Sequence, residues 1–192
     1  MVFNEIKMSF EDLLKQADGG DANAQCKVGD HYGVRRDYIR AMKYYQLSAK
    51  QNHPDALNHV GCRYYSGNGV IKNYNEAFKY FLLSAEQKCL SGYNNVAYCY
   101  KTGNGIKKDL KKALAYYRLR GRQDHIDECE QLILDQFSET LNESDYLYAY
   151  PLYVKHNHND LGKLKTLLYE KYIEAMHFMP SVLSDIIISF LL

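Results

Sequence analysis

Apolar residues recur along this chain at three- and four-residue intervals, and the pattern restarts at regular distances. Ala24, Val28 and Tyr32 lie one helical turn apart, as do Ala56, Val60 and Tyr64, a spacing that predicts amphipathic helices over about 22–32, 54–65 and 90–101. A second apolar set follows each of them: Ala41/Tyr44/Tyr45/Ser48, Ala77/Tyr80/Phe81/Ser84 and Ala113/Tyr116/Tyr117. Asp37, Asn73 and Asp109 stand four residues before the alanines, where a side-chain oxygen can accept from the free amides of a helix's first turn. Glu76 adds a capping-box partner to Asn73. Between the two sets, Gly67-Asn68-Gly69 and Gly103-Asn104-Gly105 supply residues that take positive φ and end the first helix. Each unit therefore reads as helix-turn-helix.

Shifted by 36 residues, the chain matches itself: VGCRYYSGNGVIKNYNEAFKYF lies over VAYCYKTGNGIKKDLKKALAYY. An earlier copy, VGDHYGVRRDYIRAMKYY, aligns with an offset of 32 up to Tyr32 and of 36 from Gly33, so its loop is four residues shorter. Such a period means an array, because one hairpin cannot bury its apolar side alone. Gly29 and Gly61, with Ala97 in the third copy, lower helix propensity but admit a close partner helix.

These residues resemble the SLR (Sel-1-like repeat) family, a branch of the tetratricopeptide-like helical repeats. Ala56, Gly61, Tyr64, Gly67, Gly69, Val70, Asn73, Ala77, Tyr80 and Phe81 fill its pattern in the best copy, and the resemblance covers roughly residues 17–121. Tyr44, Tyr80 and Tyr116 stand where the family usually has Trp. The resemblance implies an all-α fold, a right-handed α-solenoid of helix-turn-helix repeats, and an adaptor role, with the face of the first helices lining a concave groove.

The organisation expected is an N-terminal half-repeat helix (1–19), repeat 1 with its short loop (20–53), repeat 2 (54–89), repeat 3 (90–124), a degenerate fourth repeat (125–155) and an α-helical C-terminal cap (156–192). The half-repeat opens with Ser9 and Asp12 in a capping-box-like pair, and the fourth repeat carries an amphipathic helix at 126–137. A further helix is expected at 160–178, capped by Asp160 and broken by Pro180. The final SVLSDIIISFLL has 12 residues with Asp185 inside, short of the roughly 20 apolar residues a spanning helix needs. Two readings of it stand: a helix closing the array, or a docking helix.

Composition narrows the chemistry. The 192 residues carry 24 Lys plus Arg against 23 Asp plus Glu, so no net field draws the chain to nucleic acid or membrane. Residues 107–122 hold seven basic residues and one acid, but 123–154 hold eight acids and no Lys or Arg, which favours mutual pairing over phosphate binding. Five cysteines without a CxxC pair, and an N-terminus without signal-peptide features, point to free thiols in a cytoplasmic protein. Each thiol is expected to be a small buried hydrophobe. His156 and His158 lack further ligands at metal-site spacing and read as surface residues. No nucleophile elbow, phosphate loop or HExxH motif occurs, so no catalytic, cofactor-binding or metal residues are assigned and an enzyme is not expected.

What varies between the copies is the face of the first helix opposite its buried stripe. It carries Asn23, Cys26 and Asp30, then Asp55, Asn58 and Cys62, then Ser91, Asn94 and Tyr98. Nothing about packing requires these residues to differ between copies, and they are the candidate protein-binding set, with Tyr98 as a rigid anchor. The expected function is a non-enzymatic interaction scaffold or adaptor gripping a protein or peptide. The alternative is a regulatory protein that docks to a membrane or partner through the apolar helix 181–192.

Overall fold

A computed structural model describes residues 9–140 together with Leu152 and Lys155. The helix at 160–178, the His156/His158 pair and the apolar C-terminal segment lie outside the described residues. Among those described there are eight α-helices and no strands: α1 (Phe10–Asp18), α2 (Ala22–Val34), α3 (Tyr38–Ala49), α4 (Pro54–Ser66), α5 (Tyr74–Glu86), α6 (Leu90–Thr102), α7 (Leu110–Arg120) and α8 (Gln123–Thr140). Two compact units divide the chain, residues 1–129 and 130–192.

In the first unit, α2–α3, α4–α5 and α6–α7 are antiparallel hairpins stacked in chain order, with α1 against α2. This is the expected solenoid. The helix ends follow local chemistry. Asp21 accepts from the Ala24 amide at 2.7 Å, Asp109 from Lys112 at 3.0 Å, and Asn73 from both Asn75 and Glu76 at 3.1 Å. The capping box expected from Glu76 does not form: the Asn73 amide donates to the Tyr64 carbonyl, and Glu76 accepts from Lys79 Nζ at 2.6 Å. Gly67 and Gly103 end α4 and α6 in the left-handed conformation. The shorter first loop has no such glycine, and Arg36 takes φ 61° instead.

The core repeats with the sequence. Ala41, Ala77 and Ala113 are wholly buried, as are Val28, Val60 and Val96. Ser48 donates to the Ala22 carbonyl at 2.7 Å and Ser84 to the Pro54 carbonyl at 2.8 Å, so each tethers a second helix to the start of its own first helix. Tyr32/Tyr44, Tyr64/Tyr80 and Tyr100/Tyr116 stack with ring centroids 5.8, 5.7 and 6.0 Å apart. Tyr80 and Tyr116, expected to be buried, are only half-buried because these stacks sit at the hairpin edge, partly open to solvent. Tyrosine's amphipathic ring suits that position, packing one face while its hydroxyl stays wet.

The second loop glycine joins one repeat to the next. A Cβ on Gly69 would lie 2.4 Å from the Tyr38 carbonyl oxygen, and one on Gly105 would lie 2.1 Å from that of Tyr74. These are equivalent contacts one repeat apart, each setting a loop against the start of the preceding second helix. Gly121 also has a positive φ, but nothing lies within 4 Å of its would-be Cβ. Gly105→Ala is therefore expected to lose roughly 3 kcal/mol, from left-handed strain plus the backbone clash, against about 1 kcal/mol for Gly121→Ala. Urea denaturation of the two variants beside the parent chain checks the difference.

Candidate functional site

Successive first helices α2, α4 and α6 lie side by side and present the varying face. Six of its nine residues are exposed: Asn23, Asp30, Asp55, Cys62, Ser91 and Tyr98. Asn94 is half-buried. Cys26 and Asn58 are buried, which corrects the expectation that packing leaves this face free. Cys26 belongs to the cluster with Ala41, Tyr45, Leu57 and Val60, because α4 covers it from the side. Asn58 accepts from Asn95 Nδ2 on α6 at 2.7 Å. A visitor cannot reach either residue in this state. The thiols divide as well: Cys26, Cys99 and Cys129 are buried, Cys89 is half-buried and Cys62 is exposed, and no disulfide joins them.

The lateral contacts follow the repeat. One edge pairs Asn23 Oδ1 with His53 Nε2 at 2.8 Å, and the equivalent positions one repeat later pair Asp55 with Cys89 Sγ at 3.4 Å. Farther along the helices, Asn58, Cys62 and Asn95 form a second type of junction, in which Asn95 Nδ2 also donates to Cys62 Sγ at 3.8 Å. The equivalent residues between the first two repeats are Cys26, Asp30 and His59. There His59 Nε2 lies 3.3 Å from an Asp30 carboxylate oxygen that also accepts from Tyr45 Oη at 2.8 Å. Burial holds the His59 pKa below its ordinary 6.5, against the opposing pull of Asp30 and Asp55. Burial pushes the Cys26 thiol up to about 12, so it is a thiol and not a thiolate near neutral pH.

The sequence reading missed His59 and Asn95. Both sit one residue past the candidate positions Asn58 and Asn94, and they point sideways into the neighbouring helix. The available signal was the 36-residue offset between them, which marks a repeated position occupied by polar residues.

At the third repeat the face becomes aromatic. Tyr98, 41% exposed, packs edge-on against Tyr65 at 6.1 Å, and Lys101 Nζ lies 5.9 Å from the Tyr98 ring centroid. Asn104 Nδ2 donates to the Tyr65 hydroxyl at 2.8 Å, which fixes that ring. Beside them, Asn94 Oδ1 is a buried acceptor without a hydrogen-bond partner among the described residues. Such a group costs free energy until a donor reaches it. The basic run also resolves in part into pairs: Lys112 lies 3.7 Å from Asp109, and Arg122 reaches both carboxylate oxygens of Asp124 at 3.1 and 2.6 Å.

The Sel1 repeat model matches this chain three times, over residues 22–53, 54–89 and 90–125. Among solved structures, a Sel1 repeat protein from Oxalobacter formigenes is similar at 28% identity and a TM-score of 0.57, covering 77% of this chain and 62% of its own. A protective antigen present in uropathogenic Escherichia coli strains, described as displaying an SLR fold, is similar at 24% identity and a TM-score of 0.60, covering 83% and 37%. The chain thus spans less than two thirds of either protein. No curated protein sequence matches it.

The Asn58–Asn95 bond ties α4 to α6 across the face. Removing Asn95 leaves a buried acceptor behind, whereas removing both partners does not. Asn95→Ala is expected to lose about 1–2 kcal/mol, and Asn58→Ala with Asn95→Ala to lose less than the sum, with a coupling of about 1 kcal/mol. A double-mutant cycle by chemical denaturation measures it.

Proposed function

The chain belongs to the Sel1 repeat family, and we propose that it acts as an adaptor whose groove, along α2, α4 and α6, holds a protein or peptide segment. Sel1 repeat proteins generally mediate protein–protein interaction, and their fold is typically a non-catalytic scaffold. No described helix is long and apolar enough to cross a membrane. The observation that carries the reading is the third-repeat end of the face, where Tyr98 stands exposed with its ring held edge-on by Tyr65.

A flat aromatic ring held by Tyr65 and Lys101 offers contact area at little entropic cost. Asn23, Asp30, Asp55, Cys62 and Ser91 extend the same surface with small polar groups, which favour a partner bound through hydrogen bonds more than through a large apolar patch. The frame is preformed, so ordering costs fall mainly on the partner.

Affinity capture with the full chain, compared with Tyr98→Ala and Asn94→Ala, tests this. Truncating a central tyrosine anchor is expected to cost about 2 kcal/mol, a roughly 30-fold loss in affinity for whatever the parent chain retains. Melting temperatures should stay within a few degrees of the parent's. Equal recovery of the same proteins by all three chains would remove the groove assignment.

A further inference from the structure

The junctions between successive first helices share one geometry but not one chemistry. Between repeats 2 and 3 the three converging side chains are Asn58, Cys62 and Asn95, which satisfy one another by hydrogen bonds. Between repeats 1 and 2 the same three positions hold Cys26, Asp30 and His59, whose ligand-capable atoms all lie within 4.8 Å of one another. Cys26 and Asp30 are one turn apart on α2, and His59 faces them from α4. The ladder that aligns the first helices therefore brings a sulfur, a carboxylate and an imidazole nitrogen to one point.

We propose that Cys26, Asp30 and His59 form a binding site for a divalent cation of the zinc class, held by Cys26 Sγ, an Asp30 carboxylate oxygen and His59 Nε2. Thiolate, imidazole and carboxylate together suit a borderline-soft cation, while magnesium and calcium prefer oxygen-only sets. Bond lengths of about 2.0–2.3 Å place tetrahedral donors of this set about 3.3–3.5 Å apart, so no pair in the cluster must close by more than about 1.5 Å. Asp30 is exposed and can make that movement, and His59 Nε2 is already 3.3 Å from it.

The surroundings match what orients metal ligands. The Tyr45 hydroxyl donates to Asp30, and the Tyr45 ring stacks on His59 at 4.7 Å, which fixes both side chains from behind. Asp55, one turn before His59 on α4, adds negative charge that acts on both Cys26 and His59. Arg63 opposes it, but its guanidinium is engaged over the Tyr38 and Tyr45 rings at 4.9 and 5.5 Å. Three protein donors leave a fourth position for water. The site does not depend on the groove reading.

Binding replaces the Cys26 S–H bond with an S–metal bond and releases that proton to solvent. A neutral His59 releases none, so the Cys26 thiol supplies the one proton expected to leave per cation bound near neutral pH. No electron transfer is involved.

The test uses the full chain, reduced and stripped with a chelator, titrated with Co2+ by absorption and with Zn2+ by calorimetry in buffers of differing ionisation enthalpy. One site is expected, with a thiolate-to-cobalt charge-transfer band and one proton released. Cys26→Ser and His59→Gln should each weaken binding roughly 100-fold or more, beyond the 10–100-fold typical of losing an outer partner, and Tyr45→Phe should fall within that range. Cys62→Ser, the equivalent position in the next junction to Asp30, should leave the cobalt spectrum and the zinc affinity unchanged. If Cys26→Ser does not fold, judged by circular dichroism of the metal-free chain, His59→Gln on the half-buried face decides with the same readouts. Absence of the charge-transfer band, or a His59→Gln or folded Cys26→Ser chain that binds as tightly as the parent, overturns the assignment.

Discussion

The distance between the two helices of each hairpin governs this molecule. A Cβ on Gly29 would lie 2.6 Å from the Tyr45 ring, and one on Gly61 would lie 2.6 Å from the Phe81 ring. In these two hairpins the helices meet ring against backbone, whereas the third carries a wholly buried Ala97 at the same position. Glycine inside a helix costs about 1 kcal/mol of propensity, and the closely packed aromatic ring it admits offsets that cost. Ala41, Ala77 and Ala113 extend the close approach along the opposing helix. With the helices this near, the Ser48 and Ser84 hydroxyls reach backbone carbonyls across the gap, and the Tyr pairs stack at the hairpin edge.

Fixing the hairpin fixes what lies between hairpins. The loop glycines Gly69 and Gly105 set each turn against the preceding second helix, and the first helices then align with little freedom left. Side chains at the same repeat position must meet the same neighbour. At the second junction Asn95 meets Asn58 and Cys62; at the first, His59 meets Asp30 beside Cys26. What differs is only the chemistry placed on the ladder.

Much of this was legible from the residues. The 36-residue period, the helix limits to within a residue or two, the caps at Asp37, Asn73 and Asp109, and the buried alanine stripe all follow from spacing and turn chemistry within one hairpin. The candidate face was legible only in part. A helical wheel drawn for α2 alone puts Cys26 opposite the buried stripe, and it is opposite; yet α4 lies on that side as well and buries it. Asn58 is hidden by α6 for the same reason. A first helix in an array has two neighbours besides its hairpin partner, and periodicity within one helix does not register them. Glu76 shows the local version of this limit: its capping-box spacing is correct, but the Asn73 amide is already taken by the Tyr64 carbonyl of the preceding helix.

The same reasoning separates structural from adaptable positions on the face. Positions that look sideways, such as Asn58, Asn95, Cys26 and His59, are constrained by an adjoining helix, and the two junctions carry different sets of residues there. Positions that look outward, such as Ser91 and Tyr98, meet solvent. Tyr98 combines the two roles: its edge is held by Tyr65 while its remaining surface is open.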